Sequence, residues 1–314
     1  MLAAGEGTRL QALTRMTCGV SVPKQFCSVT GGESLLQEAL RRAQAVASPV
    51  RTCAVVAEQH RRWWQDLALD IPRQNLISQP LNRGTANGIL LPLLRIIERD
   101  SAATLLILPS DHYVRDEEIL TASLQSAMAE LQQRSNHLVL LGITPDGADP
   151  ELGYIVPDEQ DAGLIRDVRE FSEKPSAAAA LELIERGGLW NSFILAAHAQ
   201  TLLRAFEERY GELVTEMRHA LGSCGEGEAH NVALAELYER LPQLDFSRDV
   251  LQRSPQLLKV LTVPPCGWSD LGTPRRVLEV MARHARPETP ATAAPSILAF
   301  LDLAHRRTGL SAAG

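Results

Sequence analysis

Apolar positions recur along the chain with two alternating periods, one helical and one strand-like. Over 33–47, Leu36, Leu40, Ala43 and Val46 repeat at helical spacing, and a short run with β-branched residues follows over 50–57. Helical character is expected again over 58–69, with Trp63 and Trp64 partly packed, and over 84–99, where Pro92 should bend the helix. The uniformly apolar stretches 104–108 and 137–143 predict strands buried on both faces, with a helix over 116–134 between them. This alternation argues for an α/β fold, Rossmann-like, with a mostly parallel sheet and helices on both faces.

From Gly153 the texture changes. The segments 153–156 and 164–172 read as a hairpin joined by a polar turn, the start of a smaller β-rich region. An Ala-rich helix over 176–186 ends at Gly187-Gly188, a C-terminal cap signal, and a strand follows over 190–197. Helices are expected over 200–221 and 229–241, separated by a Gly-rich break, then a strand over 257–263 and a helix reaching His284. The pattern divides the chain into a body over 1–286, with halves 1–150 and 151–286, and a Pro/Thr/Ala linker with a final helix over 287–314. That helix would pack on its own body or on a subunit partner, which leaves a homodimer open.

Composition narrows the function. The 314 residues carry a formal net charge of −7, and the Arg pairs at 41–42, 61–62, 275–276 and 306–307 are scattered, so they read as solvated helix faces and no nucleic-acid partner is expected. No apolar run is long enough to span a membrane, and no basic stretch precedes an apolar signal core. Cys18, Cys27, Cys53, Cys224 and Cys266 are dispersed, without a C-x-x-C pair, as expected of reduced thiols in a cytoplasm. One feature is odd: only about three apolar residues precede the first glycine turn, where a central parallel strand usually runs ~5 to 6. The native start is therefore expected a few codons upstream of Met1.

In an open parallel sheet, ligands collect beyond the carboxyl ends of the strands. After the first strand come Gly5, Gly7, Thr8 and Arg9, a turn whose free amides suit a phosphate, with an arginine fork beside it. Lys24 follows in 23–26, then Gln79 to Ala86 at the opening of a helix, then Asp111 after 104–108. Each strand end thus delivers a phosphate-friendly or metal-friendly group to one edge.

These residues resemble the sugar-1-phosphate nucleotidyltransferases, and among them the mannose-1-phosphate guanylyltransferases. The resemblance is carried by L-A-A-G-E-G-T-R-L at 2–10, P-K-Q-F at 23–26, R-G-T-A at 83–86, L-P-S-D-H at 108–112, G-Y-I at 153–155, F-S-E-K-P at 171–175, W-N-S at 190–192 and W-S-D-L-G at 268–272. It implies transfer of a nucleoside monophosphate from GTP to mannose 1-phosphate, giving GDP-mannose and pyrophosphate, with Mg²⁺ as cofactor. It places metal ligands at Asp111 and Asp270, and catalytic positive charge at Arg9 and Lys24. Nucleotide contacts are expected from Leu2, Ala3, Ala4, Gly5, Gly7, Thr8, Arg9, Gln79, Gly84, Thr85 and Ala86, with Gly84 allowing the base a close backbone approach. Gly153, Glu173, Lys174 and Asn191 are assigned to the sugar phosphate, Gly153 giving room for the ring. Two anionic reactants must be neutralised before they meet, so such a site works by positioning and electrostatics, without a covalent enzyme intermediate. The attacking phosphate oxygen is already ionised, so His112 is read as structural, facing away from Asp111.

The chain departs from that family where Phe193 replaces its usual glycine, at 149–152, and at 246–250, where relatives are more acidic. Those departures bear on which sugar and base are used. The same reaction on glucose 1-phosphate with UTP or dTTP, a catalytically silent nucleotide-sugar-binding regulator, and transfer to a non-sugar acceptor are the competing readings.

Overall fold

The computed structural model describes residues 1–7, 10, 14, 20–133, 136–222 and 228–284. Thr8, Arg9, Cys18, Cys224, the linker and the final helix lie outside the described residues. Strands β1 (Leu2–Ala3), β2 (Ala54–Ala57) and β3 (Leu76–Gln79) form a parallel three-stranded sheet in that order. A six-stranded sheet combines β4 (Thr104–Ile107), β5 (Leu138–Ile143), β6 (Tyr154–Pro157), β7 (Ile165–Ser172), β8 (Leu189–His198) and β9 (Leu258–Val263), in the order β4-β8-β5-β9-β7-β6. A parallel bridge between Leu2 and Pro109 joins the two sheets, and β7 and β8 run against the rest.

Strand β8 shows what periodicity cannot give. It comes from the second half of the chain yet inserts between β4 and β5, pairing antiparallel with both. The expected hairpin β6–β7 is present, and β6 pairs with β8 while β7 pairs with β9, so the smaller β-rich region continues the main sheet.

The helices are α1 (Leu35–Gln44), α2 (Arg61–Trp64), α3 (Gly84–Arg99), α4 (Glu117–Gln133), α5 (Ala177–Glu185), α6 (Ala199–Gly222), α7 (Glu228–Arg240) and α8 (Pro274–His284). Ser34 and Gln37 form a reciprocal capping box at the start of α1. Alternate residues of β5 feed two cores: Leu138 and Leu140 pack with α3 and α6, Val139 and Leu141 with Leu120, Leu124 and Leu131 of α4. Each of those leucines contributes about 1.5–3 kcal/mol by leaving water.

The helix expected over 58–69 stops at Trp64. Beyond it Leu67, Leu69 and Ile71 reach one core at a spacing of two, which no helix allows, and Gln37 and Gln44 of α1 donate to the Ala68 and Asp70 carbonyls. No helix among the described residues is long and apolar enough to cross a membrane.

Candidate active site

The glycine turn after β1 is held from beneath. Gln25, buried, donates through Nε2 to the carbonyls of Ala3 (2.9 Å) and Gly5 (3.0 Å). A Cβ on Gly5 would meet nothing within 4 Å, so the backbone there faces open space. Gly7 has φ +61° and lies against the backbone of Lys24, where a Cβ would sit 3.2 Å from its nitrogen.

Lys24 reaches both aspartates. Its Nζ lies 3.0 Å from Asp111 Oδ2 and donates to the Asp270 carbonyl at 2.7 Å, with only 6% of the residue exposed. Burial opposes ionisation of Asp111, and the Lys24 ammonium, His112 and backbone hydrogen bonding together outweigh it, holding the carboxyl below its ordinary range. Asp270 is also buried and also held low, because His112, the Arg276 guanidinium and the Gly272 amide outweigh desolvation. Arg276 bridges Asp270 Oδ1 and Asp149 Oδ2 (2.8 Å) and stacks over Trp190, 5.0 Å from the ring centroid.

Two expectations are corrected by this geometry. Arg276 and Arg42 are buried, Arg42 in a bidentate pair with Glu117, so these Arg pairs are not solvated faces; the helices place one arginine of each pair inward. His112 also lines the same cavity as Asp111, because 110–112 is a bend rather than an extended segment. Burial pushes its imidazole down to about 4, so it is neutral at pH 7, and it packs edge-on to Trp268.

The R-G-T-A segment fastens a second loop. Gly84 has φ +86°, and a Cβ there would lie 2.2 Å from the Leu244 carbonyl oxygen. The Ala86 amide donates to that carbonyl (3.0 Å), and Thr85 Oγ1 accepts from the Phe246 amide (2.8 Å). Arg83 donates to the Tyr238 and Glu239 carbonyls at the end of α7. The close approach that requires glycine at 84 is therefore made by the chain's own 242–246 loop. Gln79, buried, accepts from the Tyr238 hydroxyl at 3.4 Å.

Elsewhere on the wall, Gly153 makes room for a carboxylate: a Cβ there would lie 2.5 Å from Glu173 Oε2. Glu173 is pushed up to about 7 by burial and by Asp245. Asn191 donates to Ser247 Oγ (3.2 Å) and accepts from the Phe193 amide (3.1 Å). Pairing between β5 and β8 slips between Leu140 and Gly142, and the bulge leaves Phe193 at φ +58° with its ring edge-on to Phe246. Lys174, also at positive φ (48°), is exposed and lines the same cavity.

All of this surrounds one cavity of about 550 Å³, a size suited to a nucleotide or sugar ligand. Of the expected residues, Leu2, Ala4, Gly5, Gln79, Gly84, Thr85, Asp111, Gly153, Glu173, Lys174, Asn191 and Asp270 line it. Ala3, Ala86 and Lys24 are buried behind the wall, Gly7 is not part of the lining, and Thr8 and Arg9 are outside the described residues. Sequence reasoning missed Leu244 and Asp245 on the wall and Arg276 behind it; only the departure at 246–250, which includes Arg248, hinted at that loop.

The two ionised aspartates fit a magnesium site. Among the described residues no third His, Cys, Asp or Glu joins them as a metal-binding group. Mg²⁺ suits such a pair, since it takes one or two carboxylates and completes its shell with water and substrate phosphates.

The family model described as "Nucleotidyl transferase" matches residues 1–286. The chain is 28% identical over 295 residues to the alginate biosynthesis protein AlgA of Pseudomonas syringae, covering 91% of this chain and 58% of that protein. It is 28% identical to the mannose-1-phosphate guanylyltransferase of Salmonella muenchen, covering 87% and 57%. It thus spans a little over half the length of these curated relatives. The crystal structure of mannose-1-phosphate geranyltransferase from Thermus thermophilus superposes with a TM-score of 0.73 at 28% identity, covering 90% of this chain and 77% of that one. A UDP-glucose pyrophosphorylase complexed with UDP-glucose shares the fold at 14% identity and a TM-score of 0.56, covering 90% and 96%. With the match running through every strand of both sheets, the chain belongs to the nucleotidyl transferase family.

Proposed function

We propose that the protein transfers the nucleoside monophosphate of GTP to mannose 1-phosphate, releasing pyrophosphate and forming GDP-mannose. The observation that carries this reading is that one cavity is lined both by Gly5 with Asp111 and Asp270 and by Glu173, Lys174 and Asn191. An oxygen of the sugar phosphate attacks the α-phosphorus in line. The bond to the β-phosphate bridging oxygen breaks, and its electrons leave with pyrophosphate.

The Gly5 turn presents open backbone to the triphosphate, and Gln25 fixes its carbonyls from behind. Lys24 holds the segments bearing Asp111 and Asp270 together, and Arg276 orients Asp270. Asp111 and Asp270 would hold Mg²⁺, which supplies positive charge against the phosphates when bound. Burial and Asp245 raise Glu173 to about 7, so near neutral pH both its protonated form, which donates, and its ionised form, which accepts, are within reach of sugar hydroxyls. An unmatched hydroxyl leaves such buried partners unpaired, which is where sugar discrimination arises.

The relatives named mannose-1-phosphate guanylyltransferase support this choice of substrates. Pyrophosphate release measured over a grid of GTP, ATP, UTP and dTTP against mannose and glucose 1-phosphates tests it. The expected result is fastest release with GTP and mannose 1-phosphate. Faster release with UTP or dTTP and glucose 1-phosphate would replace the substrates, and nucleotide-sugar binding without release in any combination would make the protein a regulator.

A further inference from the structure

Lys24 is buried and already paired with Asp111 and the Asp270 carbonyl, so it stands behind the cavity wall. Among the described residues, the lysine and arginine side chains on the wall itself are Lys174 and Arg248, both exposed. Lys174 already has an expected role toward the sugar phosphate; Arg248 has none.

Arg248 rides on a wide helical turn, Ser247–Leu251, that is tied to the groups proposed to face the sugar. Its neighbour Ser247 accepts from Asn191 Nδ2 at 3.2 Å, and Gln252, just past the turn, accepts from the Glu173 amide at 2.8 Å. Burial and Asp245 raise the Glu173 carboxyl, and Lys174 and Arg248 oppose them, so the fields of both cations meet at that residue.

The guanidinium is set along one edge. Nε donates to Asp249 Oδ1 at 3.0 Å and Nη2 to Asp249 Oδ2 at 3.1 Å. Asp249 is itself anchored, since its Oδ2 accepts from the Asp245 amide at 2.7 Å while Asp245 Oδ1 accepts from the Arg248 amide at 2.9 Å. The Arg248 guanidinium and that backbone amide hold Asp249 below its ordinary range, so the anchor stays ionised. A guanidinium carries donors on two edges, and Asp249 uses the Nε–Nη2 edge. The Nη1–Nη2 edge is left with two parallel N–H groups, the geometry that matches two oxygens of one phosphate.

We propose that Arg248 binds the phosphate of the sugar 1-phosphate through this second edge, alongside Lys174, with Asp249 as the positioning residue that aims it. The proposal rests on the reading of Glu173 and Asn191 as sugar-facing groups. A second cation there offsets the repulsion between the sugar phosphate and the triphosphate it must approach.

The test is calorimetric titration of the full chain and of Arg248→Met, Arg248→Lys and Asp249→Asn, with mannose 1-phosphate, glucose 1-phosphate and GTP as separate ligands. Arg248→Met is expected to bind the preferred sugar phosphate at least about tenfold more weakly, with GTP affinity within about twofold. Its melting temperature should stay close to that of the unaltered protein, since an exposed ion pair contributes little. Arg248→Lys should remain at least about threefold weak, because an ammonium lacks the fork. Asp249→Asn should raise the KM for the sugar phosphate and leave that for GTP in place; a rise in both would make Asp249 merely structural and reject its positioning role. Unchanged sugar-phosphate affinity in Arg248→Met, or a loss confined to GTP, would overturn the proposal while the reading of function stands. Binding of GTP but of neither sugar phosphate by the unaltered protein would overturn both.

Discussion

Two groups of carboxylates on the cavity wall are held in opposite electrostatic senses. Asp111 and Asp270, proposed to meet the triphosphate, are buried yet held below the ordinary carboxylate range, because Lys24, Arg276 and backbone amides surround them. Glu173, proposed to meet the sugar, is raised to about 7 by burial and by Asp245, and no ion pair among the described residues fixes it. A carboxylate kept ionised attracts a hard cation, while one poised near neutrality exchanges hydrogen bonds with hydroxyls. Backbone follows the same division. Buried Gln25 and Arg276 brace the first group, while Lys174 and Phe193 hold positive φ at the second.

The sharpest way to break this comparison is to neutralise the first group. Asp111→Asn is expected to lower turnover by about 10²–10³ or more, and to lower the melting temperature as well, because buried Lys24 loses the carboxylate it pairs with. Asp270→Asn should lose as much activity and also stability, because Arg276 keeps only Asp149 as a full charge partner. An Asp270→Asn melting temperature equal to that of the unaltered protein would show that Arg276 does not depend on Asp270.

Next is Arg276→Met, which leaves Asp149 and Asp270 buried without their shared partner. A loss of about 3–5 kcal/mol in urea unfolding is expected, although this arginine lies behind the cavity wall. Gly84→Ala should cost about 2–4 kcal/mol from the clash with Leu244 and the positive φ. Gly5→Ala, at an ordinary φ with nothing within 4 Å of the new Cβ, should leave stability intact and raise the GTP KM. A matched loss of stability in the two glycine variants would remove the distinction between a packing glycine and a ligand-facing one.

The smallest effect belongs to Glu173. Its folded pKa lies above the unfolded value of 4.5, so the folded state binds the extra proton between those values and stability falls as pH rises from about 4.5 to about 7. Glu173→Gln should therefore be more stable than the unaltered protein at pH 8, by on the order of 1–3 kcal/mol, and equal to it near pH 4. Parallel stability-versus-pH curves would mean that burial does not raise this carboxyl.

Much of this was legible in the sequence where local physics decides it. The helix α3 begins at Gly84 and ends at Arg99 as its periodicity implies, and the strand ends deliver Gly5, Asp111 and Gln79 to one edge. Order within the sheet was not legible, because β8 finds its place between β4 and β5 through pairings with residues far away in the chain. Two glycine contacts were illegible for the same reason. Gly84 and Gly153 line the cavity, and a Cβ on either would also meet Leu244 or Glu173, contacts that leave no local signal. Arg276 looked solvated because a pair of arginines on a helix shows its charge but not its burial.

The central claim is that Asp111 and Asp270 together hold one divalent ion over the triphosphate. Titration of Mn²⁺ into the protein with GTP, followed by electron paramagnetic resonance, tests it directly. One tightly bound ion per chain is predicted for the unaltered protein, lost in both Asp111→Asn and Asp270→Asn. Retention of that ion with unchanged affinity in either variant would contradict the account.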